Sequence, residues 1–317
     1  MVLAAALTAV ALTLAACTPA EPAASGPEPL RIATGPEAEA RLLSRTMLLL
    51  LAERSIPAEV VAFADARSAR QAVDLGDAEL TVAYSGEEWL TRLGRADPPA
   101  DPERAFEALE RSDRARGLTW LVPTVGRGVE EPPANATFAL FVAGPPSVHA
   151  DLRSLSDLSL RLAERPDLSL CIDTEFGGRP DGLAALLSTY SVRRDRPFLA
   201  SGPAEAVRRV RAGDCVAGLS HATDGRAWRA GLRPLVDDLR FFPAFVPAPV
   251  VRTEVLEAAP ALGPALAPLV ERLSTGMLGR ANAAVAGGGD VGAVAADLAA
   301  RLRAATGAAL AGVTPGA

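Results

Sequence analysis

The chain has 317 residues, of which 49% are hydrophobic and 22% charged, and its formal net charge at pH 7 is −6. This apolar content is sufficient for one large domain or two medium lobes. The acidic balance argues against nucleic acid as a partner, because phosphate binding requires a basic surface.

The first element in chain order is an uncharged apolar run over residues 2–16. It has the length of the apolar region of an export signal and is too short to span a bilayer as a helix. It ends in Leu14-Ala15-Ala16-Cys17, an order typical of bacterial lipoprotein signals, in which the cysteine thiol receives a diacylglycerol. We therefore expect residues 1–17 to form a signal that ends at a lipidated Cys17, on a protein anchored at the outer face of the cell membrane.

Residues 18–29 are rich in Pro, Ala, Glu, Ser and Gly, which predicts a flexible tether. The body that follows alternates short apolar runs with helical patterns, which is typical of βα units and mainly parallel sheets. The strands predicted in this α/β body cover residues 30–33, 58–63, 79–83, 119–122, 137–142, 168–173 and 216–220. The predicted helices cover residues 37–54, 66–74, 98–116, 181–188 and 204–212, followed by an Ala-rich helical tail from residue 256 that is broken at 287–289.

One pattern of helix, glycine turn and strand occurs twice. In the first copy Gly76 and an aspartate lead into a strand that ends at Tyr84, and in the second Gly213 and an aspartate lead into a strand that ends at His221. Both rings lie seven residues after the aspartate. Because open α/β sheets bind ligands at the carboxyl ends of their strands, two such units facing each other would form a binding cleft.

The sequence carries no pattern of residues typical of a catalytic site. It has no nucleophile elbow, P-loop or dinucleotide-binding fingerprint in a strand context, so we expect no enzyme activity and no cofactor. Its two histidines and three cysteines lack the spacing of a metal site. Cys171 and Cys215 are compatible either with a disulfide outside the cytoplasm or with two small buried side chains.

Six segments resemble, in chain order, motifs of the glycine betaine/choline-binding proteins of ABC transporters. They are Gly76–Gly86, Arg116–Leu121, Asn135–Leu140, Asp173–Gly182, His221–Gly225 and Phe241–Arg252. The resemblance covers residues 30–303 and implies a bilobal type II periplasmic-binding fold, with two parallel or mixed sheets and a central cleft. It implies a first lobe built from residues 30–138 and 242–317, and a second lobe from residues 139–241.

The resemblance also implies a ligand site. Carried over position by position, the family's aromatic cage would consist of Tyr84, Phe138, His221 and Phe245, with Arg179 as a polar partner. A quaternary ammonium ion has no N–H group to donate, so it is recognised by the faces of rings, each contributing about 0.5–2 kcal/mol.

Three departures from the family pattern bear on the ligand. A lysine that often holds a betaine carboxylate is replaced by Gly35, a threonine near the first cage residue is replaced by Glu87, and His221 must be neutral to face a cation. The site thereby lacks the positive charge of the lysine and has the negative charge of Glu87. Both changes favour a ligand that is a pure cation, such as choline, over a zwitterion such as glycine betaine. Arg179, in contrast, favours the zwitterion. Glu87 therefore joins the candidate ligand-binding residues.

From this resemblance we expect an extracytoplasmic, monomeric solute-binding protein. It would deliver a quaternary ammonium osmolyte of the choline or glycine betaine type to the permease of an ABC importer. The alternative is a diverged receptor for another small polar solute, such as an amino acid or an amine.

Overall fold

The computed structural model describes residues 28–123, 132–193 and 198–311, with the side chains of the last helix described as far as residue 304. The predicted signal with Cys17, and residues 18–27 of the predicted tether, lie outside these ranges. Ten strands form within them: β1 (Leu30–Thr34), β2 (Ala58–Ala62), β3 (Leu80–Tyr84), β4 (Leu118–Trp120), β5 (Phe138–Ala143), β6 (Leu170–Ile172), β7 (Phe198–Ala200), β8 (Ala217–His221), β9 (Leu232–Pro234) and β10 (Pro247–Arg252).

Helices connect and cover these strands. In the same described ranges they are α1 (Ala38–Ala52), α2 (Ala66–Leu75), α3 (Ser85–Thr91), α4 (Pro102–Arg114), α5 (Leu155–Glu164), α6 (Thr174–Gly178), α7 (Leu183–Thr189), α8 (Pro203–Ala212), α9 (Gly225–Arg229), α10 (Thr253–Ala258), α11 (Leu262–Arg272), α12 (Thr275–Ala286) and α13 (Val291–Ala311). No helix in the described part of the chain is long and apolar enough to span a membrane.

The strands form two five-stranded sheets with the same arrangement. The order is β2-β1-β3-β10-β4 in the first sheet and β7-β6-β8-β5-β9 in the second. In each sheet the first three strands are parallel, and the fourth runs antiparallel to both of its neighbours. The predicted α/β class is confirmed, and the sheets are mixed rather than mainly parallel.

Both sheets are covered by helices on both faces, as adjacent strand residues show. In β1, Ile32 belongs to an apolar cluster with residues of α1, α11 and α13, while its neighbour Ala33 belongs to another with residues of α2 and α4. In β5, Leu140 packs with α5 and α7, while its neighbour Phe141 packs with α8. Because successive side chains of a strand point to opposite faces, each sheet has two apolar layers and its own core.

Two chain segments that cross between the sheets are hydrogen-bonded to each other. The backbone N–H of Ala136, just before β5, donates to the carbonyl oxygen of Phe245 at 2.9 Å. The N–H of Phe245, just before β10, donates to the side-chain oxygen of Asn135 at 2.8 Å. The crossing therefore lies where the chain enters the second sheet and where it returns to the first. The lobe boundaries at residues 138 and 241 stay predictions.

The second sheet is also linked covalently. Cys171 in β6 and Cys215, just before β8, form a disulfide with their Cα atoms 5.7 Å apart. Of the two possibilities that the sequence left open, the structure has the disulfide.

Every strand predicted from the sequence overlaps a strand of the structure, but β7, β9 and β10 were not predicted. β10 is central in its sheet although it contains Pro247 and Pro249, residues that normally argue against a central strand. The carbonyl oxygen of Pro249 faces β4, where it accepts from the N–H of Leu121. The nitrogens of both prolines therefore face the side of β4, at and beyond its end at Trp120, so their missing N–H groups leave the pairing with β3 intact.

Candidate functional site

A cavity of about 670 Å³ lies between the two lobes. The first sheet lines it through the turn after β1, the end of β3 and the start of α3. The second sheet lines it through the end of β8 and the segment that follows, and Phe245 and the end of α12 complete its walls. A volume of this size is typical of a site for a small ligand.

The repeated helix–glycine–strand pattern delivers two rings to this cavity. Gly76 ends α2 with φ = 84° and Gly213 ends α8 with φ = 85°, a left-handed conformation that glycine adopts without a steric cost. The following strands β3 and β8 end at Tyr84 and His221, and both side chains line the cavity. The cleft predicted from the repeat is therefore present.

Phe245 reaches the cavity from the crossing segment before β10. Its ring lies so close to Gly86 that a Cβ atom at Gly86 would come within 2.7 Å of Phe245 Cδ2. The buried Ser85 hydroxyl accepts from the N–H of Val246 at 3.0 Å and donates to the carbonyl oxygen of Ala244 at 3.2 Å. In the sequence Tyr84-Ser85-Gly86, Tyr84 therefore lines the cavity, while Ser85 and Gly86 hold the segment that carries Phe245.

Phe138 lies behind His221 rather than on the cavity wall. The two residues are paired in register between β5 and β8, and their rings stack with centroids 4.8 Å apart and planes 22° apart. Phe138 also contacts Phe176 and Phe242 in the core of the second lobe. In this structure its ring supports the imidazole, and its predicted contact with a ligand stays a prediction.

Arg179 is not among the residues that line the cavity. Its guanidinium donates to Asp181 at 2.5 Å, and 43% of its side chain is exposed. The role of polar partner to the ligand, assigned to Arg179 by resemblance, also stays a prediction.

Five carboxylates line the cavity. Glu88 and Asp224 are paired with arginines, which leaves Glu87, which the sequence singled out, and Glu37 and Glu39, which it did not. Burial, and next the negative charge of Glu37, raise the pKa of Glu87, with Arg67 opposing. Glu37 and Glu39 could have been predicted from the sequence, because both follow β1 at the edge of the sheet where ligands bind. The carboxyl ends of β1 and β3 meet at one edge of the sheet because these strands are parallel.

The two arginines that line the cavity, Arg70 and Arg226, are already paired with carboxylates. Arg70 donates to Asp113 at 2.6 Å and to Asp74 at 2.9 Å, and Arg226 donates to Asp224 at 2.8 Å. Glu37, Glu39 and Glu87 form no ion pair with any described residue. Apart from the influence of Arg67 on Glu87, their negative charge is not offset by a paired cation, so the cavity attracts cations.

Beneath the cavity lies a buried network of charges. Asp113 is fully buried and accepts from Arg70, from Arg92 at 2.9 Å and from the indole N–H of Trp120 at 2.7 Å. Burial raises the pKa of the neighbouring Glu88, and the two arginines lower it. Because every charge here has a partner of opposite sign, the network is structural. Within the described residues, no group of His, Cys, Asp and Glu side chains is arranged to hold a metal ion.

Glu39 connects the walls of the cavity. One of its oxygens accepts from the Tyr84 hydroxyl at 2.6 Å, and the other accepts from the Asn282 amide at 2.5 Å. The same amide donates to the carbonyl oxygen of Thr223 at 2.9 Å. Burial, followed by the charge of Glu39, raises the pKa of Tyr84 well above its usual value, so this phenol stays neutral.

Two mixed sheets with a cavity between them define a periplasmic substrate-binding fold, and solved structures match it. Apo YehZ from Escherichia coli superposes with a TM-score of 0.76 at 27% identity, covering 85% of this chain and 96% of that one. A glycine betaine/carnitine/choline ABC transporter structure superposes with a TM-score of 0.73 at 23% identity, covering 86% and 98% of the two chains. The second likeness shows the fold alone.

Sequence comparisons give the family. Residues 28–301 match the model for the substrate-binding domain of ABC-type glycine betaine transport systems. The chain is 30% identical over 273 residues to the glycine-betaine-binding protein of Pseudomonas aeruginosa, covering 81% of this chain and 82% of that protein. It is 28% identical over 279 residues to the glycine betaine-binding protein YehZ of Escherichia coli strain K12, covering 85% and 89%. The chain belongs to this family of ABC-transporter substrate-binding proteins.

Proposed function

We propose that this protein binds a quaternary ammonium cation in the cavity between its lobes and delivers it to the permease of an ABC importer. The observation that carries the proposal is the combination of three ring-bearing walls, Tyr84, His221 and Phe245, with carboxylates that lack a basic partner. Ring faces attract a cation that cannot donate hydrogen bonds, and the carboxylates add to that attraction.

The charges of the cavity favour a pure cation such as choline over a zwitterion such as glycine betaine. A betaine carboxylate needs a cationic or N–H partner, but Gly35 supplies no side chain, and Arg70 and Arg226 are engaged by carboxylates. It would also be repelled by Glu37 and Glu87.

Titration calorimetry of the mature chain with choline, glycine betaine, carnitine and proline betaine tests the proposal. We expect choline to bind most tightly. Tyr84→Ala and Phe245→Ala should each weaken choline binding several-fold, since a ring face contributes about 0.5–2 kcal/mol. Trp89→Ala, which removes a ring outside the cavity, is the matched control. Absence of binding heat with all four compounds would contradict the proposal.

We propose further that Cys17 carries a lipid that anchors the protein at the outer face of the membrane. The support is the Leu14-Ala15-Ala16-Cys17 sequence at the end of an apolar run. A diacylated cysteine would hold the receptor beside its permease. Detergent phase partition of the protein made in a bacterial host measures the anchor: the wild type should enter the detergent phase, and Cys17→Ser should not. Equal partition of the two proteins would exclude the anchor.

A further inference from the structure

Glu39 occupies a position between the ring of the first lobe and the backbone of the second. Its Oε1 atom accepts from the Tyr84 hydroxyl at 2.6 Å and its Oε2 atom from Asn282 Nδ2 at 2.5 Å. Both acceptor oxygens are therefore used, and a carboxylate with two such bonds is held in one orientation. The hydroxyl of Tyr84 is in turn held in place, which fixes the direction in which its side chain extends.

The same set of hydrogen bonds extends to the second lobe. The amide of Asn282 has two N–H groups, and it also donates to the carbonyl oxygen of Thr223 at 2.9 Å. Thr223 lies two residues after His221. The bonds Tyr84–Glu39–Asn282–Thr223 thus connect the end of β3 to the segment after β8, that is, the two strand ends that carry rings.

The position of Asn282 is set by backbone packing between α9 and α12. A Cβ atom at Gly225 would lie 2.3 Å from the carbonyl oxygen of Asn282, so the two backbones touch directly. Asn282, in the part of the chain assigned to the first lobe, therefore packs against α9 of the second lobe. Its side-chain amide donates to Glu39 on α1.

Glu39 also places a negative charge directly behind the ring of Tyr84. It forms no ion pair with any described residue, so this charge is not cancelled locally. A carboxylate that accepts from a phenol raises the electron density of the ring, which strengthens the attraction of the ring face for a cation. The effect depends on the charge of the ligand, not on its shape.

We propose that Glu39 is a positioning and specificity-determining residue: by holding and polarising Tyr84 and bridging to Asn282, it makes the cavity select ligands with a full positive charge. The inference rests on the proposed function, since it concerns the same cavity. It assigns to Glu39 a part in binding that requires no direct contact with the ligand.

The experiment compares choline with 3,3-dimethylbutan-1-ol, a neutral compound of the same shape in which carbon replaces the nitrogen. Both are titrated into the full mature chain and into Glu39→Gln, whose amide oxygen can still accept from Tyr84. We expect Glu39→Gln to weaken choline binding about tenfold, the upper part of the range for one cation–ring contact, and to leave the neutral compound within about twofold. Glu59→Gln, an exposed carboxylate of the same lobe outside the cavity, is the matched control.

A double-mutant cycle identifies the route of the effect. In Tyr84→Phe the hydrogen bond to Glu39 is absent, so Glu39→Gln should cost clearly less choline affinity in that background than in the wild type. Equal losses in both backgrounds would mean that Glu39 does not act through Tyr84 and would overturn the proposal. Equal weakening of choline and the neutral compound would overturn it as well, because that is the result of a purely structural role.

The two proposals fail in different ways. If the wild type binds no choline, the proposed function and the inference both fall. If the wild type binds choline and Glu39→Gln binds it equally well, the inference falls and the proposed function stands.

Discussion

Glu87 lies in the first turn of α3 and lines the cavity, where its carboxylate is partly withdrawn from water. Burial raises its pKa, the neighbouring charge of Glu37 raises it further, and Arg67 acts in the opposite direction. A cation bound in the cavity favours the ionised carboxylate. Ligand and proton therefore compete for the same charge.

Choline affinity should consequently depend on pH. Above the raised pKa of Glu87 the carboxylate is ionised and binding is full. As the pH falls through that pKa, at a value above the ordinary 4.5 of a glutamate, the carboxyl takes up a proton and the affinity decreases. Calorimetric titrations from neutral to mildly acidic pH measure this slope. Glu87→Gln should bind choline more weakly at neutral pH and show a flatter profile, and an unchanged slope in that variant would exclude Glu87 as the group responsible.

At the scale of residues, the cavity residues at the ends of strands could be predicted from the sequence better than the polar residues around them. Tyr84 and His221 line the cavity at positions that follow from local strand and turn patterns, whereas Glu87 and Phe245, which also line it, were assigned by resemblance. The bond from Asn282 to Glu39 joins residues 243 apart in the chain, and no local pattern encodes such a pairing. Arg179 could be assigned only by resemblance, and the structure pairs it with a neighbouring aspartate two residues away.

Two helices from different parts of the chain, α9 and α12, approach each other through glycines. A Cβ atom at Gly279 in α12 would come within 2.2 Å of the indole nitrogen of Trp228, and one at Gly225 would come within 2.3 Å of the Asn282 backbone. Arg280 covers the face of the same indole at 5.9 Å. The absence of side chains at these two positions therefore permits the contact that presents Asn282 to the cavity.

Gly225→Ala should force α9 and α12 apart, because the atom it would strike belongs to the backbone and cannot rotate away. We expect a loss of about 1–3 kcal/mol in the free energy of unfolding, the usual cost of overpacking, together with weaker choline binding. Urea denaturation measures the first effect and calorimetry the second. Gly263→Ala in α11 meets nothing within 4 Å and is the control, for which stability should be unchanged or slightly raised. Equal stability of the two variants would contradict the close contact.

Among the elements, long periodic helices and apolar strands were predictable, whereas short and unusual ones were not. α5 was missed although Ser154 and Asp157 form a capping box at its start, so this signal was present in the sequence. β7 and β9 have three residues each, too few for a periodic pattern. β10 was missed because its two prolines argue against a central strand. They are tolerated because their nitrogens face the side on which β4 ends.

At the largest scale, the described part of the chain consists of two lobes with the same strand order, and the candidate binding cavity lies between them. Each lobe has its own core, and the second is additionally linked by the disulfide between Cys171 and Cys215. The rings at the ends of β3 and β8 come from different lobes. A ligand held by both rings requires both lobes to be folded, so its binding free energy should stabilise each lobe against local unfolding.

Hydrogen–deuterium exchange with and without choline tests this expectation lobe by lobe. At a choline concentration one hundred times the dissociation constant, the free energy of opening should rise by about 2.7 kcal/mol, both for peptides containing β3 and for peptides containing β8. Tyr84→Ala provides the control, because its weaker binding should reduce the protection of both strands together. Protection confined to one strand would place the ligand on a single lobe, because a ligand stabilises only those elements that must be folded for it to bind.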